Sequence, residues 1–187
     1  MLENSNAIKA FVSCSLREED KAFVDLICNI LRIHRIVPFG TVGMFSASPE
    51  NPIQLMKANI PISDIVVICA TPRYLQYDLK TGEKSYGLSE MVHVEAGIAL
   101  AHGKPLVVFV QEGTYIGKAL PNITQYIVLD GKSEDYNLKK PLIHSLLSNT
   151  KKVVENLNIE KTVKWVIKFI VVILAIYGGI QLFFRRK

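Results

Sequence analysis

The sequence predicts an α/β fold with a parallel sheet of five strands, followed by one apolar helix near the C-terminus. Short apolar runs alternate with segments of helical periodicity, a pattern typical of parallel sheets covered by helices. The run at 65–70 is apolar throughout, as expected of a central parallel strand that is buried on both faces. Residues 165–184 are almost all apolar and are long enough to cross the hydrocarbon of a bilayer.

The first strand and the first helix are predicted from the N-terminal part of the chain. Residues 7–14 form a short apolar run that is rich in β-formers. Ser15 and Glu18 have the spacing of a capping box, in which each side chain bonds a backbone N–H of the other residue. Apolar residues at helical spacing from Phe23 to His34 predict the helix that follows.

The next elements are predicted from residues that typically begin or end helices and strands. Residues 36–39 form a second strand, and a loop follows it. Ser48 and Pro49 are typical of an N-cap and the first helical position, so a second helix is predicted from there to about residue 60. The polar segment 71–87, which contains a tight turn at 80–83, is predicted to be a loop.

The second half of the α/β domain repeats the strand and helix pattern. The segment 87–105 is predicted to be a helix that ends at a glycine. The remaining strands and the last helix of the domain are predicted at 106–110, 126–129 and 141–157. In order along the chain we therefore expect an α/β domain, a basic linker, a transmembrane helix and a basic tail, at 1–158, 159–164, 165–184 and 185–187.

The charge distribution favours a lipid partner. Lys and Arg number 22 and Asp and Glu number 17, which gives a net charge of +5. Many basic residues flank the apolar segment and none form a stripe, so a nucleic-acid partner is excluded and a bilayer is favoured. Because no signal peptide precedes the domain, we expect a single-pass membrane protein with a cytoplasmic N-terminal domain. The three cysteines have no metal-like spacing, and no metal site is predicted.

Glu95 is the most unusual residue of the predicted helix at 87–105. Winding this segment at 100° per residue places Glu95 near the centre of an apolar arc that includes Met91 and Val94. A carboxylate in such a position is costly unless it is paired or lies at the lip of a pocket. Ligands of open parallel sheets bind at the carboxyl ends of the strands, and the first turns of this helix lie there. Glu95 is therefore predicted to face a ligand.

Several common sites are excluded by the sequence. It has no Walker A loop, no dinucleotide glycine fingerprint and no Gly-x-Ser-x-Gly elbow. His93 and Glu95 match the first half of a zinc deaminase signature, but the cysteine pair that should follow is absent.

Four segments, taken in order, resemble the Toll/interleukin-1 receptor (TIR) family, especially its prokaryotic branch. The resemblance covers about residues 7–157, and its parts lie at 10–20, 39–48, 63–74 and 89–95. The last part matches the family's Ser-x-Trp-Cys-x-x-Glu segment at Ser89 and Glu95, whereas Met91 and Val92 replace the Trp and Cys. The resemblance implies a flavodoxin-like three-layer fold. Residues 95–105 are also similar to nucleoside 2-deoxyribosyltransferases, whose nucleophilic Glu would fall on Glu95.

Both resemblances imply cleavage of an N-glycosidic bond, with Glu95 at the anomeric carbon of a ribose. They assign substrate-binding roles to a set of further residues, some of which have ordinary core packing or solvent exposure as the alternative. The set is Phe11, Ser13, Phe39, Phe45, Arg73, Tyr74, Ser89 and Met91.

The predicted function is that of a membrane-anchored TIR-like effector that cleaves NAD or a related nucleotide. By resemblance, self-association activates such a domain in a stress or antiviral response. NAD is then a substrate, and no cofactor is expected. One alternative is a non-enzymatic TIR-like interaction module or nucleotide sensor, and another is a glycosylase similar to the deoxyribosyltransferases. The expected partners are a nucleotide, further copies of the chain and a bilayer, without nucleic acid.

Overall fold

A computed structural model describes residues 7–40 and 51–184. The chain divides into two compact units, Met1–Thr150 and Lys151–Lys187. The strands, in chain order, are β1 (Ile8–Ser13), β2 (Ile36–Phe39), β3 (Ile65–Ala70), β4 (Tyr74–Tyr77), β5 (Lys84–Gly87), β6 (Leu106–Gln111), β7 (Thr114–Tyr115) and β8 (Tyr126–Leu129). The helices are α1 (Glu18–Ile33), α2 (Pro52–Ile62), α3 (Glu90–Ala101), α4 (Ala119–Ile123) and α5 (Ser133–Phe184).

The main sheet is parallel and has the order β2-β1-β3-β6-β8. This confirms the predicted five-stranded parallel sheet, and the order is the flavodoxin-like one. Every residue of the central strand β3 is buried, as its continuous apolar run predicts. One face of β3 packs against α2 and α3, and α1 contacts β2 and β3. The carboxyl ends of β1, β3 and β6 consequently lie at one edge of the sheet.

A second, smaller sheet has the order β4-β5-β7 and corrects the prediction of a loop at 71–87. β4 and β5 form an antiparallel hairpin in which Leu75 lies opposite Tyr86. The Asp78 carboxylate accepts the backbone N–H groups of Lys80 and Thr81, at 2.7 and 3.0 Å, and so forms the turn. The segment was predicted to be a loop because it is polar as a whole. An exposed hairpin, however, can form without a continuous apolar run.

The predicted capping box at the start of α1 is wrong. The helix begins at Glu18 with Arg17 as its N-cap, and no side chain caps it. The Ser15 hydroxyl instead accepts the backbone N–H of Arg17 at 3.3 Å. Glu18, Glu19 and Asp20 fill the first turn, where the helix dipole favours negative charge.

α2 begins at Pro52, and the Asn51 side chain caps it by accepting the Ile53 N–H at 2.9 Å. The predicted start at Ser48 and Pro49 lies outside the described residues. The cap chemistry that the sequence favours, a small polar residue followed by proline, therefore occurs here three residues later.

The apolar C-terminal segment corrects the predicted fold class. It is no separate helix, because α5 is continuous for 52 residues from Ser133 and carries charged residues, including Lys139 and Lys164. Among the residues that the structure describes, none of the helices has the length and apolar character needed to span a bilayer. The predicted transmembrane helix at 165–184 is therefore wrong, and so is the single-pass membrane location with a C-terminal anchor.

Candidate active site

The inner face of α3 differs from the predicted apolar arc. Val92, Ala96 and Ala99 are the buried residues of this helix. Met91 and Val94, which were placed on the arc, are 38% and 43% exposed. Glu95 lies three residues after Val92 and four before Ala99, so helical spacing puts it on the inner face. The carboxylate thus faces inward; Ala99 of the predicted arc is buried beside it, whereas Val92 and Ala96 take the place of Met91 and Val94.

Ser13 and Glu95 form the central contact of the site. Ser13 is the last residue of β1 and is 1% exposed. Its hydroxyl donates a hydrogen bond to Oε2 of Glu95. This bond joins the carboxyl end of a sheet strand to the second turn of α3, at the edge where open parallel sheets bind ligands. No other hydrogen bond to the Glu95 carboxylate comes from the part of the chain that the structure describes.

The electrostatics of Glu95 follow from its surroundings. Burial disfavours the charged form and raises the pKa of the carboxyl from 4.5 to about 7, while the Ser13 hydrogen bond lowers that pKa. The carboxyl is therefore present in both its neutral and its ionised form near neutral pH. A carboxyl of this kind in a cleft is a candidate for acid, base or nucleophilic chemistry.

Glu95 lines a cleft of about 420 Å³. The other lining residues come from the end of β3, from the segments that follow β1 and β3, and from the start of α3: Cys14, Ser15, Leu16, Arg17, Cys69, Thr71, Arg73, Ser89, Met91 and Val92. The cleft thus contains Glu95, Arg73, Ser89 and Met91 of the predicted site residues. A second cavity of about 430 Å³ lies beside β8 and α5, and no carboxylate or basic side chain is among the residues that line it.

Of the other predicted residues that the structure describes, Phe11, Phe39 and Tyr74 do not line the cleft. Phe11 is fully buried and belongs to the apolar core. Phe39 lies beneath the ammonium group of Lys9, with Nζ 5.7 Å from the ring centroid. Tyr74 is 47% exposed on β4, and the Arg73 guanidinium is 5.8 Å from its ring. Phe45 lies outside the described residues.

Arg17 is the main cleft residue that sequence reasoning missed. Its Nε donates to Oδ2 of Asp20 at 2.8 Å, and Nη2 donates to the carbonyl oxygen of Pro72 at 2.6 Å. Asp20 is only 2% exposed, so this ion pair is largely desolvated on the acidic side. Arg17 thereby connects the segment after β1 to the segment after β3. Its position in a loop at the carboxyl edge of the sheet was the signal that could have identified it.

Two thiols lie in the cleft beside Glu95. Cys14 directly follows β1, Cys69 lies near the end of the neighbouring strand β3, and both thiols are free. Burial, together with the nearby Cys28 and Glu95, raises the pKa of Cys14 to about 12. Burial also raises the pKa of Cys69. These thiols are therefore neutral at physiological pH. Within residues 7–40 and 51–184, no three His, Cys, Asp or Glu side chains are grouped as metal ligands.

Comparison with known proteins bears on the fold. No protein-family model matches this chain, and neither does any curated protein. The solution structure of BlsM has a TM-score of 0.51 and 18% identity, covering 81% of this chain and 94% of BlsM. The CMP N-glycosidase BcmB of Clostridium botulinum has a TM-score of 0.46 and 19% identity, covering 72% of this chain and 98% of BcmB. This chain shares its α/β fold with BlsM. These matches do not show a TIR domain.

Proposed function

We propose that this protein is an N-glycosidase that cleaves the bond between the base and the ribose of a nucleotide, with Glu95 as the catalytic carboxylate. One observation carries the proposal. The Glu95 carboxyl is held by Ser13 in a cleft at the carboxyl edge of a parallel sheet, and its pKa is about 7. Among residues 7–40 and 51–184 no cation pairs with Glu95, and a half-buried acid of this kind is suited to chemistry more than to stability.

The chemistry follows from the two oxygens of the carboxylate. Ser13 binds Oε2, so Oε1 can approach the anomeric carbon of the ribose. As the bond from this carbon to the base nitrogen breaks, its electron pair leaves with the base, and the carboxylate stabilises or bonds the oxocarbenium-like carbon. Water then attacks the same carbon; its hydroxyl stays on the ribose product, its proton passes to the departed base or to solvent, and Glu95 is restored.

The rest of the cleft supports a nucleotide as the substrate. Leu16, Met91 and Val92 provide an apolar surface for the base. Arg73 is an exposed cation in the same cleft and can attract a phosphate. The Ser89 hydroxyl makes no cap hydrogen bond at the start of α3 and is available to a ligand. NAD is one candidate substrate to be tested; it would be consumed in the reaction and would not act as a cofactor.

A transferase is the second candidate, because it would use the same glutamate. The segment from Glu95 to Pro105 is similar to deoxyribosyltransferases, in which a second base replaces water as the acceptor. The cleft of about 420 Å³ is large enough for one base and its sugar, so bases would have to exchange at one position. Adding a free base during the reaction distinguishes the two outcomes.

The test incubates the protein with NAD, CMP, dCMP and deoxyadenosine and measures the release of free base by chromatography. We expect the wild type to release a base from at least one nucleotide and Glu95→Gln to be slower by about three orders of magnitude. Glu90→Gln is the matched control, because Glu90 is exposed on the same helix and does not line the cleft. Activity that survives in Glu95→Gln would disprove the proposal. Binding of nucleotide without any base release would favour a sensor.

A further inference from the structure

Among the strands that the structure describes, β4 is an edge of the smaller sheet with no neighbour on its outer side, and its sequence lacks the usual protection of such edges. It is the first strand in the order β4-β5-β7, and all four of its residues are exposed. Its sequence, Tyr-Leu-Gln-Tyr, has no charge, proline or glycine. Natural edge strands generally carry one of these features, because an unblocked edge pairs with another strand.

The hairpin's hydrogen bonds show which backbone groups of β4 are open. The Asp78 N–H donates to the Glu83 carbonyl at 2.9 Å, next to the turn. Antiparallel ladders alternate, so Tyr74 and Gln76 direct their backbone groups toward β5. Leu75 and Tyr77 therefore direct their N–H and C=O groups outward, away from the hairpin.

Side chains of β4 and β5 form an apolar strip on the hairpin. Leu75, Tyr77 and Tyr86 lie on one face of the hairpin by the register of β4 and β5. They are 47%, 57% and 55% exposed, which is high for three neighbouring large side chains. Nζ of Lys84 lies 5.5 Å from the Tyr77 ring centroid and covers the outer end of the strip.

We propose that β4 pairs antiparallel with β4 of a second copy of this chain, around a two-fold axis at Gln76. Leu75 of each copy then lies opposite Tyr77 of the other, and their outward backbone groups exchange four hydrogen bonds. The apolar strips of the two copies become continuous. The proposal does not depend on the proposed function.

The charges of the strand favour a second copy over an unrelated segment. Arg73 precedes β4 and Asp78 follows it, so antiparallel pairing brings the cationic end of each strand toward the anionic end of the other. Parallel pairing would bring like charges together. The same register places the Tyr74 hydroxyl beside the Asp78 carboxylate of the second copy. Backbone hydrogen bonds from Lys80 and Thr81 lower the pKa of Asp78, so this carboxylate is ionised.

The first test is disulfide formation in the full chain. Gln76→Cys places two thiols face to face at the two-fold axis, in a non-hydrogen-bonded pair with close Cα atoms. The matched control is Leu138→Cys, because Leu138 is 79% exposed on α5 and lies outside the smaller sheet. With a mild oxidant, which removes two electrons and two protons from the thiol pair, we expect a covalent dimer from Gln76→Cys. An equal yield from Leu138→Cys would contradict the proposal.

The second test measures reversible association of the full chain by sedimentation velocity. Leu75→Pro removes one outward N–H and leaves the bonds to β5 intact, as edge strands tolerate. We expect it to weaken dimerisation at least about tenfold, because each dimer loses two backbone hydrogen bonds. Circular dichroism confirms that the variant is folded. A wild type that stays monomeric at about 100 µM, or a folded Leu75→Pro that dimerises as well as the wild type, would overturn the proposal.

Discussion

The Ser13 hydroxyl donates to the Glu95 carboxylate across 82 residues of sequence, and this bond joins β1 to α3. Neither residue is held there by local structure alone. β1 brings Ser13 to the carboxyl edge of the sheet, and the inner face of α3 brings Glu95 to the same place. The pair therefore depends on the assembly of the whole sheet, and the pKa of Glu95 depends on this pair.

Ser13→Ala should move the pH dependence of base release upward. The Ser13 hydrogen bond lowers the pKa of Glu95, so its loss leaves burial unopposed and raises that pKa above about 7. If the ionised carboxylate is the active form, activity rises with pH through this pKa. We expect the midpoint of the rate profile to move up by about one pH unit. Ser13→Thr keeps the hydroxyl and should keep the wild-type midpoint. An unchanged midpoint in Ser13→Ala would show that the Ser13 hydrogen bond does not affect the catalytic pKa.

The raised pKa of Glu95 should make the folded state less stable as pH rises. In the unfolded chain the carboxyl titrates near 4.5, and in the folded chain near 7. Between these values the folded state binds more protons, so this group's stabilisation, complete below pH 4.5, is lost as pH rises through 7. Glu95→Gln cannot ionise, and its stability relative to the wild type should increase by about 2–3 kcal/mol from pH 4.5 to pH 8. Urea unfolding at both values measures this, with Glu90→Gln as the control that should show no such difference.

Local sequence was enough to predict the main sheet. The strands at 36–39, 65–70 and 126–129 have the predicted bounds, because each is an apolar run between residues that favour turns. The position of Glu95 at the carboxyl edge of the sheet followed from the order of these elements. The contact with Ser13 could not follow, because helical spacing gives a face of α3 and does not identify what lies opposite.

The errors have separate physical causes. β4 and β5 were missed because each has only four residues and the segment that holds them is polar as a whole, so their few tyrosines and one leucine gave no clear alternation. The capping box failed because Ser15 bonds Arg17, which is itself anchored to Asp20 and Pro72. The membrane helix was predicted from an apolar run with basic flanks, whereas the segment continues a long helix that carries charges.

Removing Arg17 should destabilise the fold by leaving a buried acid unpaired. Asp20 is 2% exposed, and Arg17 contacts it through both Nε and Nη2 at 2.8 Å. We expect Arg17→Ala to lower the free energy of unfolding by about 2 kcal/mol, since 29% of the Arg17 side chain is exposed and screened. Adding Asp20→Asn removes the unpaired charge and should restore part of the loss. Urea unfolding of the single and double variants measures this, and equal stability of wild type and Arg17→Ala would show that the pair contributes little. Lys21→Ala is the control, because its pair with Glu18 is exposed.

Cys14 should react slowly with thiol reagents in the folded protein although it lines the cleft. Its pKa of about 12, against 9.0 for a free thiol, leaves about a thousandfold less thiolate at pH 8. Cys28 and Cys69 are buried and should be slower still. We expect almost no reaction with a chromogenic disulfide reagent in the folded chain and rapid reaction of three thiols in urea. Comparison with Cys14→Ser assigns any reactive thiol. A fast Cys14 in the folded chain would mean that the cleft around Glu95 is wetter than this structure shows, and it would lower the expected pKa of Glu95 as well.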